Sequence, residues 1–367
     1  MPVGIVIMRW DERVGTEILA KFPNEISIND KTLMQVYSTH EYGGESGMIS
    51  LMIGSLNIAS YFTGPDTGYY LILLLNIDDD PDAYEGGLAD IARTILLNLN
   101  DDAYKSMIPA LFRKLSIYPT YKEEQKLAMT YQEEIKRMII NRLREEGVVS
   151  KSELSIWLRD KYKHGFVDLE SILIELIKQE IIKEASVKGM PSELLFLIND
   201  IFMMRIPPED LINNPSEKGL PDQLSDDYII ECRKFFQNYR PSEQDNLNII
   251  NILTDPEVYE TIRLLRTAIV TRNELEKLRK KGVDNVADVL KKLWNNQMIQ
   301  VFQDKHNNEY YALLSDFYLR KIFPKYILNI IKKEYEQKSK ADKVLAEYLT
   351  VLENTFMEQK KTAKIKE

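Results

Sequence analysis

Short apolar runs at residues 4–9 and 16–22 flank the stretch Trp10-Asp11-Glu12-Arg13-Val14-Gly15 and predict a β-hairpin. Asn29 or Asp30 then offers an N-cap. Leu33, Met34, Val36 and Tyr37 are spaced for the buried face of a helix, which Gly43-Gly44-Glu45-Ser46-Gly47 ends. Runs at 48–53, 56–63 and 69–77 are joined by Gly54-Ser55 and Gly64-Pro65-Asp66-Thr67-Gly68, which predicts an antiparallel three-stranded meander. Asp80 as cap and Pro81 at the first helical position open a helix to about residue 99, with Leu88, Ile91, Ala92, Ile95, Leu96 and Leu99 as its apolar stripe. One five-stranded sheet with helices packed on it buries this pattern.

The period then becomes helical. Ile135, Met138, Ile139 and Leu143 share a face over 131–146, and Gly147 ends that helix. Ser150-x-x-Glu153 is a capping box that opens a helix through Leu154, Trp157, Leu158 and Tyr162. After the turn Gly165-Phe166-Val167, Asp168 caps a third helix with Leu169, Ile172, Leu173, Leu176 and Ile177 inside. A hairpin follows, from Ile181-Ile182 through Lys188-Gly189-Met190-Pro191-Ser192 to 194–198. The order recurs downstream. Asp255-Pro256 opens a helix, Thr271-x-x-Glu274 is a second capping box, and 285–297 buries Val286, Val289, Leu290, Leu293 and Trp294. A hairpin then runs over 298–302 and 310–314 around Lys305-His306-Asn307-Asn308, with one of Tyr310 and Tyr311 facing in and the other out. Pro207-Pro208, Asn213-Asn214-Pro215 and Gly219-Leu220-Pro221 mark a linker, with a connecting helix over 226–239. Pro324 starts a helix to about 336, another continues to about 359, and residues beyond 360 fray.

Residues 1–120 resemble the longin and roadblock family of small α/β modules. The likeness is carried by the opening strand at 5–9, the Trp10-Asp11…Gly15 turn and the Gly64-Pro65-Asp66-Thr67-Gly68-Tyr69 hairpin. It implies a non-enzymatic platform for a small GTPase, a trafficking partner, a longin-type protein or a second copy, and it brings no catalytic set. Three helices and a hairpin, twice over, resemble the winged-helix pattern. In domain type the tandem is similar to subunits of the ESCRT-II trafficking complex. The expected fold is α+β and multidomain. It comprises a five-stranded longin/roadblock-like module (1–120), winged helix 1 (128–206), a linker and connecting helix (207–249), winged helix 2 (250–320) and C-terminal helices (321–367).

Charge separates these parts. The 367-residue chain carries −9 overall: −8 over 1–120, −4 over 121–240 and +3 over 241–367, with +5 in 261–300 alone. Such a balance is poor for phosphate binding by the first two domains. The third helix of the first unit carries Asp168, Glu170, Glu175 and Glu180 against Lys178, which repels phosphate. The second unit offers candidate nucleic-acid contacts in Arg272, Lys280, Lys281, Lys291, Lys292 and Lys305, with His306 at the wing tip. Trp10, Asp11 and Arg13 are candidate partner-binding residues, although Trp10 also suits a packing role. Trp157 and Trp294 read as core.

Catalytic and metal chemistry find little support. One cysteine, Cys232, excludes an intramolecular disulfide and fits a reducing compartment. Arg233 and Lys234 can lower its pKa slightly, but no histidine lies near it in sequence, so it reads as a packed helix residue. His40, His164 and His306 are too dispersed for a metal centre. Asp78-Asp79-Asp80-Pro81-Asp82 reads as capping and solvation rather than a cation site. Phosphate-loop, dinucleotide and nucleophile-elbow motifs are absent from the sequence. No catalytic residue, cofactor or metal is therefore expected. With no signal peptide and no apolar run near the roughly 20 residues of a membrane span, the chain reads as soluble and cytoplasmic. The expected function is a non-enzymatic adaptor, with the winged helices as protein-interaction modules. The alternative is a transcription regulator that holds DNA through winged helix 2.

Overall fold

The computed structural model describes residues 2–11, 13–43, 46–99, 103–162 and 168–366, the last five through the backbone alone. His164 and the turn Gly165-Phe166-Val167 lie outside the described residues, as do Gly44 and Glu45 of the glycine-rich helix stop. Two units emerge: Met1–Tyr121 with Ser155–Lys178, and Lys122–Leu154 with Gln179–Glu367.

In the first unit, β1 (Gly4–Asp11) and β2 (Gly15–Phe22) form the hairpin, with a bulge between Ile7 and Met8. In α1 (Asp30–Gly43) the cap is Asn29, whose side chain accepts the Thr32 N–H at 2.8 Å. Next come β3 (Gly47–Ile53), β4 (Leu56–Phe62) and β5 (Tyr69–Leu75), giving an antiparallel sheet of order β2-β1-β5-β4-β3. The central strand β5, Tyr-Tyr-Leu-Ile-Leu-Leu-Leu, is almost wholly apolar because both of its faces are covered. Alternation along the strands sorts the core into two layers. Val6, Met8, Ile58, Tyr70 and Ile72 cluster with Leu33 and Val36 of α1. Ile5, Ile7, Tyr61, Leu71 and Leu73 cluster with α2 (Glu85–Leu97) and α3 (Ala103–Ile117). Met34, expected on the buried face of α1, is 41% exposed, and His40 is buried on that helix instead.

Asp80 does act as a cap, but to a 3₁₀ turn, Pro81–Tyr84, that precedes α2; it accepts the Asp82 N–H at 3.1 Å. Two other aspartates there, Asp79 and Asp82, have protein partners. Asp79 accepts from the Asn76 N–H, and Asp82 accepts from Ser50 Oγ. The apolar pattern does not announce α3, which carries Pro109 in its interior. Gly86 and Gly87 let it approach α2: a Cβ on Gly87 would lie 2.7 Å from Leu115 and 2.9 Å from Tyr118.

Downstream the chain runs α4 (Glu123–Gln132), α5 (Glu134–Glu146), β6 (Val148–Ser150), α6 (Lys151–Lys161), α7 (Leu169–Lys178), β7 (Ile182–Ala185), β8 (Leu194–Leu197) and β9 (Asp200–Ile206). After α8 (Glu209–Asn213) and α9 (Asp222–Asn238) comes the same series: α10 (Glu243–Leu253), α11 (Pro256–Leu265), β10 (Val270–Thr271), α12 (Arg272–Glu276), α13 (Val286–Asn295), β11 (Ile299–Gln303), β12 (Glu309–Leu313) and β13 (Asp316–Ile322). The chain ends in α14 (Ile327–Gln337) and α15 (Asp342–Lys366). The two three-stranded sheets have matching order, β6-β8-β7 and β10-β12-β11. β13 runs past residue 320 into the segment expected to be helical.

The repeat extends to letters. Leu143-Arg144…Val149-Ser150-x-x-Glu153-Leu154 matches Leu265-Arg266…Val270-Thr271-x-x-Glu274-Leu275, with Gly147 the one extra residue between Arg and Val. Ser150 Oγ accepts the Glu153 N–H, and Thr271 with Glu274 forms the full reciprocal box. Asp168 caps α7 and Asn285 caps α13. Glu180 and Gln297, equivalent positions, both take left-handed backbone, with φ of 57° and 54°. Arg144 pairs with Asp200 at 2.8 Å, and Arg266 pairs with Asp316 at 2.9 Å. β9 and β13 pair with one another antiparallel, from Asp200↔Ile322 to Ile206↔Asp316.

Candidate functional site

The N-terminal hairpin divides its three candidates. Trp10 stacks on Tyr37, with centroids 3.8 Å apart and planes 10° apart, so it is half-buried packing rather than an exposed contact. Asp11 accepts the Val14 and Arg13 N–H groups at 2.9 and 2.8 Å, which shapes the turn and holds its carboxyl below the usual range. Arg13 is left exposed at the tip beside Val14.

Helix α7 has a polar face bonded to the α/β module of its own unit. Ser171 Oγ and the Tyr61 hydroxyl lie 2.5 Å apart, both groups buried. Burial pushes the Tyr61 hydroxyl up to about 12. Glu175 receives both terminal nitrogens of Arg93, at 2.5 and 3.2 Å, a planar fork on a carboxylate. Lys178 pairs with Glu85. One turn apart along the helix, these three bonds fix its register on β4 and α2.

The second repeat supplies the matching helix. Taking Asp168 with Asn285 and Glu180 with Gln297 as equivalent, the buried Ile172, Leu173 and Leu176 of α7 correspond to the buried Val289, Leu290 and Leu293 of α13. The docking residues Ser171, Glu175 and Lys178 correspond to Asp288, Lys292 and Asn295, and Ile177 corresponds to Trp294. Trp294 is 48% exposed, which corrects its assignment to the core. Val286, Val289, Leu290 and Leu293 fill the buried face of the helix, and the indole falls outside that arc. Trp157 is half-buried.

Of the six candidate nucleic-acid contacts, three meet carboxylates. Arg272 pairs with Glu276 at 3.0 Å and Lys281 with Glu260 at 3.7 Å. Lys292 lies 3.0 Å from both Asp255 and Asp288, which holds its ammonium pKa above the ordinary value. Lys280, Lys291 and Lys305 are exposed, as is His306. At the tip of the β11–β12 hairpin, Asp304 accepts the His306 and Asn308 N–H groups and closes the turn. Of the tyrosines at 310 and 311, Tyr311 is buried and Tyr310 half-buried.

A cleft of about 1040 Å³ in the second unit is lined by charged groups, Glu124, Arg263, Arg266, Arg320 and Lys321 among them. Its charges are largely spent on one another: Glu124 binds Arg266, Lys321 binds Glu180, and Arg263 binds Glu260. Cys232 is 1% exposed, and burial pushes its thiol up to about 12, which overturns the slight lowering expected from Arg233 and Lys234. Native protein should therefore react with a thiol-titrating disulfide reagent only after denaturant is added; stoichiometric reaction without denaturant would refute the burial argument. No helix among the described residues is long and apolar enough to cross a membrane. No family model, curated protein or solved structure gives a significant match to the chain.

Proposed function

We propose that the chain is a non-enzymatic cytoplasmic adaptor. Residues 1–121 act as a longin/roadblock-like module that binds a small GTPase or trafficking partner, and the two repeats are winged-helix domains used for protein contact. The observation that carries the reading is the fate of α7. In a DNA-reading winged helix the third helix presents its polar face to the major groove. Here that face is bonded to protein through Ser171, Glu175 and Lys178. The acidic module and the exposed Arg13 tip support a protein partner over a phosphate backbone. Capture experiments with the full chain against purified small GTPases should give binding that Arg13→Glu weakens at least several-fold. A full set of GTPases in both nucleotide states, none retained, would count against the GTPase reading.

Exposed Lys280, Lys291 and Lys305 favour a second reading, DNA contact through the second repeat. Fluorescence anisotropy with a labelled duplex at low salt separates the two. The adaptor reading expects no binding that disappears steeply with salt. Binding abolished by Lys291→Glu with Lys292→Glu would establish the other.

A further inference from the structure

We propose that the charged cleft of the second unit binds a multiply phosphorylated, hydroxyl-rich small molecule of the sugar or inositol phosphate class. The cleft is one of two equivalent places in the repeats. Counting from Asp200 and Asp316, Lys321 of β13 stands where Arg205 stands in β9. Each reaches into the other repeat. Arg205 donates to the Asn296 carbonyl at 2.9 Å, and Lys321 donates to the Gln179 carbonyl at 3.1 Å, beside the left-handed Gln297 and Glu180. The helices beyond the two strands match as well. Tyr228 of α9 donates to the Leu313 carbonyl at 2.9 Å, and Tyr348 of α15 donates to the Leu197 carbonyl at 2.8 Å.

One of the two places is sealed and the other is open. Around Arg205 the chain fills the space itself: Asp245, third residue of α10, supplies an anion, and Phe235 and Tyr239 of α9 supply rings. The corresponding positions around Lys321 are Gln125, third residue of α4, with Thr355 and Gln359 of α15. Gln125 is buried and donates to the Leu253 carbonyl at 3.3 Å. A neutral amide thus replaces the carboxylate, and smaller polar side chains replace the rings. The cleft of about 1040 Å³ remains there, with Lys321, Asn199 and Gln359 in its wall.

The charge left over around this opening is positive. Arg266 with Glu124 and Asp316, and Lys321 with Glu180, are closed on themselves. Arg263 and Lys281 share the single carboxylate of Glu260, at 2.8 and 3.7 Å, and their side chains are 49% and 64% exposed. Among the described residues Lys122 and Arg320 have no carboxylate partner, and the Arg320 guanidinium is seated over the Tyr318 ring at 4.9 Å. Glu123 is the lining carboxylate that opposes these four cations. Guanidinium forks and ammonium groups around one opening suit the oxygens of several phosphates. The body of the ligand follows from the rest of the wall. Asn199, Thr267 and Gln359 offer amides and a hydroxyl, whereas the Tyr259 ring and Leu319 are buried. That wall suits a polyol better than a flat aromatic base.

Calorimetric titration of the full chain with an inositol trisphosphate at about 50 mM salt tests the proposal. One site per chain is expected, weakened by added salt. Arg320→Ala with Lys122→Ala should weaken binding at least tenfold. Gln359→Tyr should do the same without removing a charge, because it places a ring where Tyr239 seals the counterpart. Arg233→Ala with Lys234→Ala, exposed cations of α9 outside the cleft, should leave the affinity unchanged. Circular dichroism checks that each variant folds. Inorganic tripolyphosphate, highly charged but without hydroxyls, should bind at least tenfold more weakly. Vesicles carrying about 5% of a phosphatidylinositol bisphosphate separate the two sources of such a ligand. Co-sedimentation displaced by the soluble trisphosphate assigns a lipid headgroup, and titration without co-sedimentation assigns a free metabolite. No binding up to about 1 mM trisphosphate overturns the proposal. So does binding that survives Gln359→Tyr, that the α9 variant weakens as much as the cleft variant, or that tripolyphosphate equals. Small-GTPase capture depends on Arg13 in the first unit, so failure of that reading and failure of this one are told apart.

Discussion

Replacing Arg205 by Met should cost the second unit about 3–5 kcal/mol of stability, the range for removing one partner from a buried charged network. The Arg205 side chain is 3% exposed. Its guanidinium spans Asp245 at 2.7 and 2.9 Å, Ser315 Oγ at 2.8 Å and the Asn296 carbonyl at 2.9 Å. The rings of Phe235 and Tyr239 lie about it at 5.8 and 5.9 Å. Burial pulls the Asp245 carboxyl up, but Arg205 and the Tyr239 hydroxyl outweigh it and hold the net pKa below the ordinary value. Without the guanidinium, the Tyr239 hydroxyl alone is left to oppose burial at that carboxylate. Arg205→Lys should recover only part of the loss, because an ammonium cannot reproduce a planar fork on three acceptors. Urea midpoints followed by circular dichroism measure both variants. A loss under 1 kcal/mol for Arg205→Met would show that the network is redundant.

Stability of the first unit should fall by about 3 kcal/mol as pH drops from 6.5 to 4, through His40 alone. His40 is 2% exposed, its Nε2 lies 3.0 Å from Ser60 Oγ, and Phe62 and Tyr70 flank the ring. Burial dominates and lowers its pKa to about 4, with the Ser60 contact opposing. Between that value and 6.5 the unfolded chain binds a proton that the folded chain refuses. The stabilisation is therefore complete above 6.5 and is lost as pH falls through that window. His40→Phe removes the titration and should flatten the profile, whatever it does to absolute stability. Thermal melts at pH 7, 5.5 and 4.5 compare the two. Equal slopes for wild type and variant would refute the assignment to His40.

How far the sequence was legible depended on whether a pattern was local. Short apolar runs between well-marked turns announced all five strands of the N-terminal sheet, including β5, which is apolar on both faces. The capping boxes at Ser150 and Thr271 and the cap at Asp168 marked helix starts to the residue. What stayed hidden was non-local. Strands β9 and β13 find their pairing partner more than a hundred residues away, and neither has a hairpin turn to announce it. Helices α4 and α10 precede the helices the apolar stripes revealed, and the docking of α7 depends on Tyr61, Arg93 and Glu85, which no spacing rule connects to it. Trp294 misled because an indole at a helical position reads as core when only neighbours in sequence are considered.

The β9–β13 ribbon has a consequence for synthesis. On a ribosome adding about 5–20 residues per second, β9 is complete some 5–20 seconds before β13 exists. During that time its edge, with Phe202 and Met204 on the outer side, has no mate within its own chain. Neighbouring nascent chains on one messenger carry the same strand. The interval therefore favours exchange between chains, and a slower translating stretch between the repeats would lengthen it.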